Sequence, residues 1–316
     1  FSDGKPSRTP SINLRGTGSI GAGGSALVLI NGVEGDLNSV NPADVESVSV
    51  LKDASSAAIY GARGAFGVIL VTTKNATAGK TKINYNGSFS MHQRTVKTED
   101  GIVSNGLQWT DGWYTAYLEG QEAPPGGINN VFKYSTDWYN ELVRRDADPS
   151  LDKVRVNDKG EYEYFGNTNW LDIIYKDQNY STEHNVSISG GNERARYYVS
   201  GRYYNQDGIY NAGDEKYTQY NIRSKGEIQI NKSLLLENNT DVMIFRSHQP
   251  MVMYDRQNIT RQAQHQGYPV TMEKNPDGTW TEAAVYIGWA GFVEGTSWQK
   301  DNKLDVRNTT TLTYTP

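Results

Sequence analysis

The sequence predicts a mainly β protein, in which a small mixed α/β domain precedes the first strands of a transmembrane antiparallel β-barrel. Three observations predict this fold. Apolar and polar residues alternate with a period of two over several stretches between 81 and 314, and a tilted membrane strand needs about ten such residues. The connections between these stretches are alternately tight and long, which is typical of bacterial barrels. Residues 41–74 instead combine turn, strand and helix signals.

Composition narrows the classes of function. The chain has 316 residues, a net charge of −5, no cysteine and a mean hydropathy of −0.66, and it contains no apolar run long enough for a membrane-spanning helix. No basic stripe gathers Lys and Arg onto one element, which argues against a nucleic-acid partner. The absence of cysteine excludes disulfide frameworks and thiol chemistry. The chain begins without a signal peptide and stops inside an alternating stretch, so we expect it to be an internal part of a longer protein.

Two strands are predicted in the N-terminal domain. Asn41 and Pro42 are the residue types favoured at a helix cap and at the first helical position. The β-branched run Glu46–Leu51 predicts one strand. The continuous apolar run Gly67–Thr73 predicts a second strand, buried on both faces.

A short helix and a tight turn complete this domain. Asp53 can accept hydrogen bonds from the first N–H groups of a helix over Ala54–Tyr60, and Gly61 can take the left-handed conformation that ends it. Asn31 and Gly32 follow a buried strand and predict a tight turn.

The run LVLINGVEGDLNSVNPADVESVSVLKDASSAAIYGARGAFGVILVTTK resembles the plug-domain signature of SusC/RagA-like TonB-dependent outer-membrane transporters, with INLRGTGS upstream and KTKINYNGS downstream. On this resemblance, residues 1–78 are the C-terminal part of a plug domain inside the barrel lumen. Residues 79–316 are the first six strands of a barrel of about 22 strands. The signature positions are Arg15, Gly16, Asn31, Gly32, Lys52, Asp53, Tyr60, Gly61, Arg63 and Gly67.

The resemblance also implies a function. Transporters of this family import oligosaccharides or oligopeptides across the bacterial outer membrane, with a plug that gates the barrel and a SusD-like surface lipoprotein that captures ligand as a lid. TonB, ExbB and ExbD supply energy through a TonB box, which lies outside this chain. The expected assembly is a dimer of transporter–lipoprotein pairs, without enzymatic activity, metal or cofactor.

The barrel strands are predicted from alternation alone. They lie within 81–92, 183–189, 196–204, 219–230, 234–244 and 304–314, with Tyr198 and Tyr204 interrupting one polar face. Two long external loops are expected over 94–180 and 248–303, and Trp138 and Leu142 mark a short helix over Thr136–Arg144 in the first.

Aromatic residues of the long loops are the candidate ligand-binding residues, because aromatic rings stack on sugar rings and on peptide side chains. The candidates are Trp109, Trp113, Tyr114, Trp280, Trp289 and Trp298. The alternative is that each ring holds a loop core together or lies at the lipid interface.

Charged residues on the polar strand faces would line a lumen, where they could pair with the plug. Arg15, Lys52, Asp53 and Arg63 are the candidates for the plug side of such pairs.

Composition and one short motif are each compatible with another class of protein. A secreted, soluble β-sandwich that binds carbohydrate or mediates adhesion would share this composition, but it would be soluble without detergent and would have no lipid-facing band. Residues 16–21 fit the pattern GxGxxG, but a strand follows them where a dinucleotide site requires a helix.

Overall fold

A computed structural model describes residues 26–53, 57–95, 102–128, 132, 134–250, 259–295 and 298–316. The strand candidate at 11–15, the glycine-rich segment 16–21 and the signature residues Arg15 and Gly16 lie outside these ranges.

The N-terminal unit (residues 26–78) is built on a four-stranded sheet of order β2-β1-β4-β3. Its strands are β1 Leu27–Ile30, β2 Val33–Glu34, β3 Val45–Leu51 and β4 Val68–Thr73. β4 runs parallel to β1 and antiparallel to β3. Ile69 and Val71 pack in one core and Val68 in a second, on the other side of the sheet. The prediction that this strand is buried on both faces is therefore confirmed.

The turns of this unit follow the sequence signals. Asn31 and Gly32 have positive φ values of 51° and 85° and join β1 to β2. A 3-10 helix spans Pro42–Asp44, and the Asn41 side chain accepts a hydrogen bond from the Ala43 N–H at 3.1 Å. Asn41 is therefore the cap that the sequence predicts.

The helix predicted over Ala54–Tyr60 is observed in part: Ala57 is helical and donates its N–H to the Asp53 carbonyl at 3.0 Å, but the end of the helix needs a correction. Residues 54–56 lie outside the described ranges, and the described continuation is a 3-10 helix over Ala58–Gly64. Gly61 lies inside this element, with φ 61° and ψ −148°. Only glycine adopts that backbone conformation readily, and it interrupts the hydrogen-bond ladder. Gly61 therefore divides the element into two tight turns and does not end it.

The large sheet contains six antiparallel strands in the order β12-β11-β10-β9-β8-β5. The bounds are β5 Gly79–Gln93, β8 Gln178–Gly191, β9 Ala195–Asp207, β10 Lys216–Asn231, β11 Leu234–Pro250 and β12 Trp298–Tyr314. All six predicted strands are present. Tight turns at 192–194 and 232–233 lie at one end, and the long connections lie at the other.

The two faces of the large sheet differ in chemistry. On the outer face the apolar side chains of Ile83, Phe89 and Leu304 are 68–70% exposed. On the inner face Tyr198 and Arg223 are buried against the N-terminal unit. A soluble sandwich would bury the apolar face and leave the polar face in water, so this arrangement does not favour the sandwich alternative.

The long connections form a helical layer at the end of the sheet opposite the tight turns. Its helices are α1 Gly106–Gly120, α2 Thr136–Ala147, α3 Trp170–Ile174, α4 Ile259–Gln266, α5 Glu282–Tyr286 and α6 Trp289–Glu294. A hairpin joins β6 Val154–Val156 to β7 Tyr162–Tyr164. The helix predicted at 136–144 is thus confirmed as the start of α2. Among the described residues, no helix has both the length and the apolar content needed to cross a membrane.

Two apolar cores hold this layer together. Trp170, Ile174 and Ile287 are central to one, which joins α3 to α4, α5 and α6. Trp138 and Phe165 are central to the other, beneath α2. Both cores combine residues from the two long insertions, so the loops form one packed layer.

Candidate functional site

A buried carboxylate joins the N-terminal unit to the large sheet. Asp44, at the end of the 3-10 turn Pro42–Asp44, is 2% exposed. It accepts hydrogen bonds from the Tyr198 hydroxyl and the Ser200 hydroxyl of β9, each at 2.7 Å. Asn41 donates a third bond from its own turn at 3.3 Å. Tyr198, which interrupts the alternation of β9, therefore faces inward because its hydroxyl has a partner there.

Two arginine side chains of the large sheet donate hydrogen bonds to the N-terminal unit. Arg223 on β10 lies 3.2 Å from Asp241 and donates to the Lys74 carbonyl at 3.0 Å. Arg307 on β12 donates to the Ser39 hydroxyl at 2.9 Å. Both guanidinium groups retain buried N–H groups without a hydrogen-bond partner among the described residues, although Arg307 Nε lies 3.8 Å from Asp305, so this interface is polar and incompletely satisfied.

A more exposed ion pair extends the same interface. Asp36 lies 2.9 Å from the Lys303 ammonium of β12. Burial acts to raise the pKa of the Asp36 carboxyl, but the hydrogen bond and charge of Lys303 and the hydrogen bonds from Asn38 outweigh it and hold the pKa below its ordinary value of 3.8. Lys225 of β10 donates to the Asn75 side chain.

Arg63, one of the plug-side partners predicted from sequence, needs a correction. Arg63 pairs at 2.7 Å with Glu34 of its own unit, and both side chains are exposed. Lys52 and Asp53 lie at the exposed end of β3. Contacts with the sheet come from 36–44 and 74–75, which face the inner side of β9, β10 and β12. Lys52 and Asp53 as partners of the sheet stay a prediction.

The remaining signature residues shape the unit. The Asn31 side chain exchanges hydrogen bonds with Thr73 at 2.7 and 3.0 Å, which ties the β1–β2 turn to β4. Gly67 has a φ of 98°, and its carbonyl accepts from the Leu27 N–H. Tyr60 packs against the core beneath β4. These positions therefore stabilise the local fold.

Three predicted aromatic candidates lie in the second long insertion. Trp289 is 3% exposed and donates its indole N–H to Glu273 at 2.6 Å, so its ring belongs to a loop core and is not available to ligand. Trp280 carries the Lys274 ammonium over its ring at 4.2 Å. Trp298 begins β12 and packs on the His248 ring, with centroids 4.2 Å apart.

The other three candidates lie on α1. Trp109 stacks on Tyr268 at 5.1 Å and is half-buried. Trp113 packs edge-on against Trp109 at 6.3 Å and leaves 48% of its surface exposed. Tyr114 meets Tyr139 at 5.4 Å. Of the α1 aromatics, Trp113 presents the largest free ring surface.

A cavity of about 910 Å³ opens between α2, the β6–β7 hairpin and residues 270–271. Carboxylates, hydroxyls and the Arg155 guanidinium line it, and Arg155 is held 2.6 Å from Glu163. At its wall Tyr134 stacks on Trp138 at 3.9 Å, and burial raises the pKa of Tyr134 to about 12. The cavity can therefore offer both hydrogen bonds and aromatic surface. Sequence patterns missed it because its walls are 134–141, 155–164 and 270–271.

Known proteins match both parts of the chain. The family model for the TonB-dependent receptor plug domain matches residues 1–68. TonB-dependent receptor SusC of Bacteroides thetaiotaomicron is 33% identical over 218 residues, which are 66% of this chain and 18% of SusC. TonB-dependent receptor P3 of Formosa agariphila is 30% identical over 230 residues, 72% of this chain and 18% of the receptor.

The fold is also found among solved structures. The RagAB peptide importer in its open-open state matches with a TM-score of 0.55 and 27% identity, over 75% of this chain and 26% of that chain. The chain spans about a fifth of the length of the curated relatives that it matches. The plug match, the six-stranded meander with its polar inner face and these relatives together show that the chain belongs to the SusC/RagA-like TonB-dependent transporters.

Proposed function

We propose that the protein containing this chain imports oligosaccharides or oligopeptides across the bacterial outer membrane by TonB-dependent active transport. The observation that carries the proposal is the seating of the N-terminal unit on the inner face of the sheet through polar and charged contacts, while the apolar face points outward. Lipid would cover the apolar face. Hydrogen bonds and ion pairs can be broken and remade, so the unit can serve as a movable gate.

The partners follow from the relatives and from the external layer. A SusD-like surface lipoprotein would close over the helices and cavity at the external end of the sheet. TonB, with ExbB and ExbD, would act through a segment outside this chain, and transporter–lipoprotein pairs would associate as dimers. The resemblance to SusC and to the RagAB peptide importer supports a lipoprotein partner.

Glycan and peptide substrates both fit the external layer. The cavity between α2 and the hairpin combines hydrogen-bonding groups with the rings of Tyr162 and Tyr164. Trp113 adds an exposed ring to the same layer, connected to the cavity residue Tyr134 through Phe132. Hydroxyl-rich sugars and peptide backbones both need such a mixture of polar groups and apolar faces.

The test is uptake by cells that carry the full-length protein and its neighbouring lipoprotein. Labelled oligosaccharides and oligopeptides are supplied to strains with and without TonB. Uptake of one class that requires both TonB and the lipoprotein supports the proposal. Uptake that is independent of TonB, or no uptake and no ligand binding by the purified complex, contradicts it.

A matched pair of variants tests the cavity. Tyr162→Ala removes a cavity ring and should weaken binding of the imported ligand. Tyr286→Ala removes an exposed ring of α5 that lies outside the cavity and should leave binding unchanged. Equal binding by the two variants would place the ligand elsewhere in the external layer.

A further inference from the structure

A polar patch interrupts the apolar outer face of the large sheet. This outer polar patch occupies two adjacent rows of strand pairing on β10, β11 and β12: Ser224, Thr240 and Asn308, then Gly226, Asn238 and Thr310. Apolar rows enclose it on both sides: Ile222, Val242 and Val306, and Ile228, Leu236 and Leu312. On β9 the same two rows continue with Val199 and Tyr197, so the patch ends between β9 and β10.

Amides and hydroxyls in contact with lipid chains carry a free-energy cost, because hydrocarbon offers them no hydrogen bonds. Bonds within the patch offset part of this cost. Asn238 donates to Asn308 at 3.4 Å and to Thr310 at 2.8 Å, and Asn308 donates to Thr240 at 2.6 Å. Asn308 and Thr310 are nevertheless exposed. The cost arises at these residues whatever the strands outside this chain carry, so a covering of protein would stabilise the patch where lipid would not.

We propose that a second copy of the transporter covers the outer polar patch, and that a two-fold axis beside β11 relates the two copies. This inference rests on the proposed import function, which places the outer face in lipid, and it assigns the proposed dimer to one surface. Both copies cross the membrane in the same direction, so the axis is normal to the membrane. The patch of one copy therefore meets the patch of the other at the same depth in the bilayer.

The chemistry of the patch suits a copy of itself, as a two-fold interface requires. An asparagine amide carries two N–H donors and an acceptor oxygen, and a threonine hydroxyl can donate and accept. The two asparagine and two threonine side chains can therefore bond across the axis to their own counterparts. Ser224 and Gly226 are small, which lets the two surfaces approach closely. None of the six residues is charged, so no like charges face each other across the axis.

Photocrosslinking in cells tests the surface. A benzophenone amino acid replaces Leu312 in the full-length transporter, because Leu312 lies beside the patch on the outer face and is 61% exposed. Irradiation should give a product with the mass of two transporters, in which the crosslinked peptide comes from β10, β11 or β12 of the second copy. Ile83 is the matched control position, since it is 70% exposed on the outer face of β5, three strands away from β10, and the probe there should give no such product. If the probe at Leu312 impairs folding, Val306 is the equivalent position on the other side of the patch and is 58% exposed.

Paired substitutions test the amides themselves. Asn238→Leu together with Asn308→Leu should lower the yield of the two-copy product about tenfold, because each copy loses two amides that would bond across the axis. Asn302→Leu is the control, since Asn302 is exposed on the same face of β12 but lies outside the patch, and its yield should equal that of the wild type.

The outcomes separate this surface from the import function. Equal yields from the probes at Leu312 and Ile83, products that contain only lipid or a different protein, or an unchanged yield in the double leucine variant would overturn the proposed surface. TonB-dependent uptake is measured in the same cells without the probe. Uptake by the wild type without a two-copy product would overturn the surface and leave the import function standing, whereas absence of uptake by the wild type would refute the import function.

Discussion

Replacing Asp44 by alanine should undock the N-terminal unit locally from the sheet. The change removes the acceptor of two hydrogen bonds, from Tyr198 and from Ser200, both at 2.7 Å in a site that is almost fully buried. A hydrogen bond to a charged group contributes about 1.5 to 3 kcal/mol, so the two together contribute about 3 to 6 kcal/mol. Each 1.4 kcal/mol corresponds to about a tenfold change in an equilibrium constant. The opening equilibrium of residues 37–45 should therefore rise at least about a hundredfold.

The assay is amide hydrogen exchange of the full-length transporter in detergent, followed by mass spectrometry of peptides that cover residues 37–45. Tyr198→Phe removes one of the two bonds and should give a smaller increase, and the double variant gives the coupling energy. Glu46→Ala is the control, because this carboxylate is two residues away and exposed. If Asp44→Ala and Glu46→Ala exchange alike, the carboxylate does not dock the unit and the reasoning is wrong.

Three further predictions concern single contacts. Ile287→Ala, at a fully buried position of the loop core, should cost about 2 to 5 kcal/mol in denaturant unfolding followed by tryptophan fluorescence; Val285→Ala, at a 59% exposed position, should stay within about 0.5 kcal/mol. The hydrogen bond to Asp111, with burial, raises the pKa of Tyr139 to about 12, so this contact stabilises the loops below pH 10 and is lost as the pH rises to 12. Asp111→Asn should return the phenolate absorbance transition toward 10. The Asp36 ion pair should stabilise docking above pH 3.8 and be lost as the pH falls through its lowered folded pKa. Pepsin cleavage of the N-terminal unit should then increase, and Asp36→Asn should abolish this pH dependence.

The strands could be predicted from the sequence because the signal is local. Alternation between an apolar and a polar face is repeated every two residues, and a single slip would move every side chain to the other face. The observed strands are several residues longer than the predicted alternating stretches. In β11, for example, the predicted stretch 234–244 lies within Leu234–Pro250. Tyr198 broke the pattern in sequence, and the structure explains it by the hydroxyl contact with Asp44.

The contacts of the site could not be predicted in the same way. Asp44 and Ser200 are 156 residues apart, and no spacing rule connects them. The charge of Arg63 predicts a partner on the sheet, but the carboxylate of Glu34 in its own unit pairs with it at 2.7 Å. Helix α1 was missed because Gly106, Gly112 and Gly120 lower helix propensity. Trp289 is of a residue type that often contacts ligand, but it is 3% exposed and belongs to a loop core. Sequence alone does not distinguish a ligand-binding tryptophan from a core tryptophan, because the difference lies in the packing.

β11 and β12 are longer than a lipid bilayer requires. Each has 17 residues, about 55 Å at 3.3 Å per residue, or roughly 42 Å in height at a tilt of about 40°. The aliphatic outer positions of these two strands end at Ile244 and Leu304. Arg246, His248 and Lys300 follow on that face, and Trp298 packs on His248 at the end of the sheet. A lipid band about 25 Å thick would therefore cover the lower part only. On the proposed import function, the upper part, roughly 15 Å, would stand clear of the bilayer, and the helical layer would bind its ligand above the lipid headgroups.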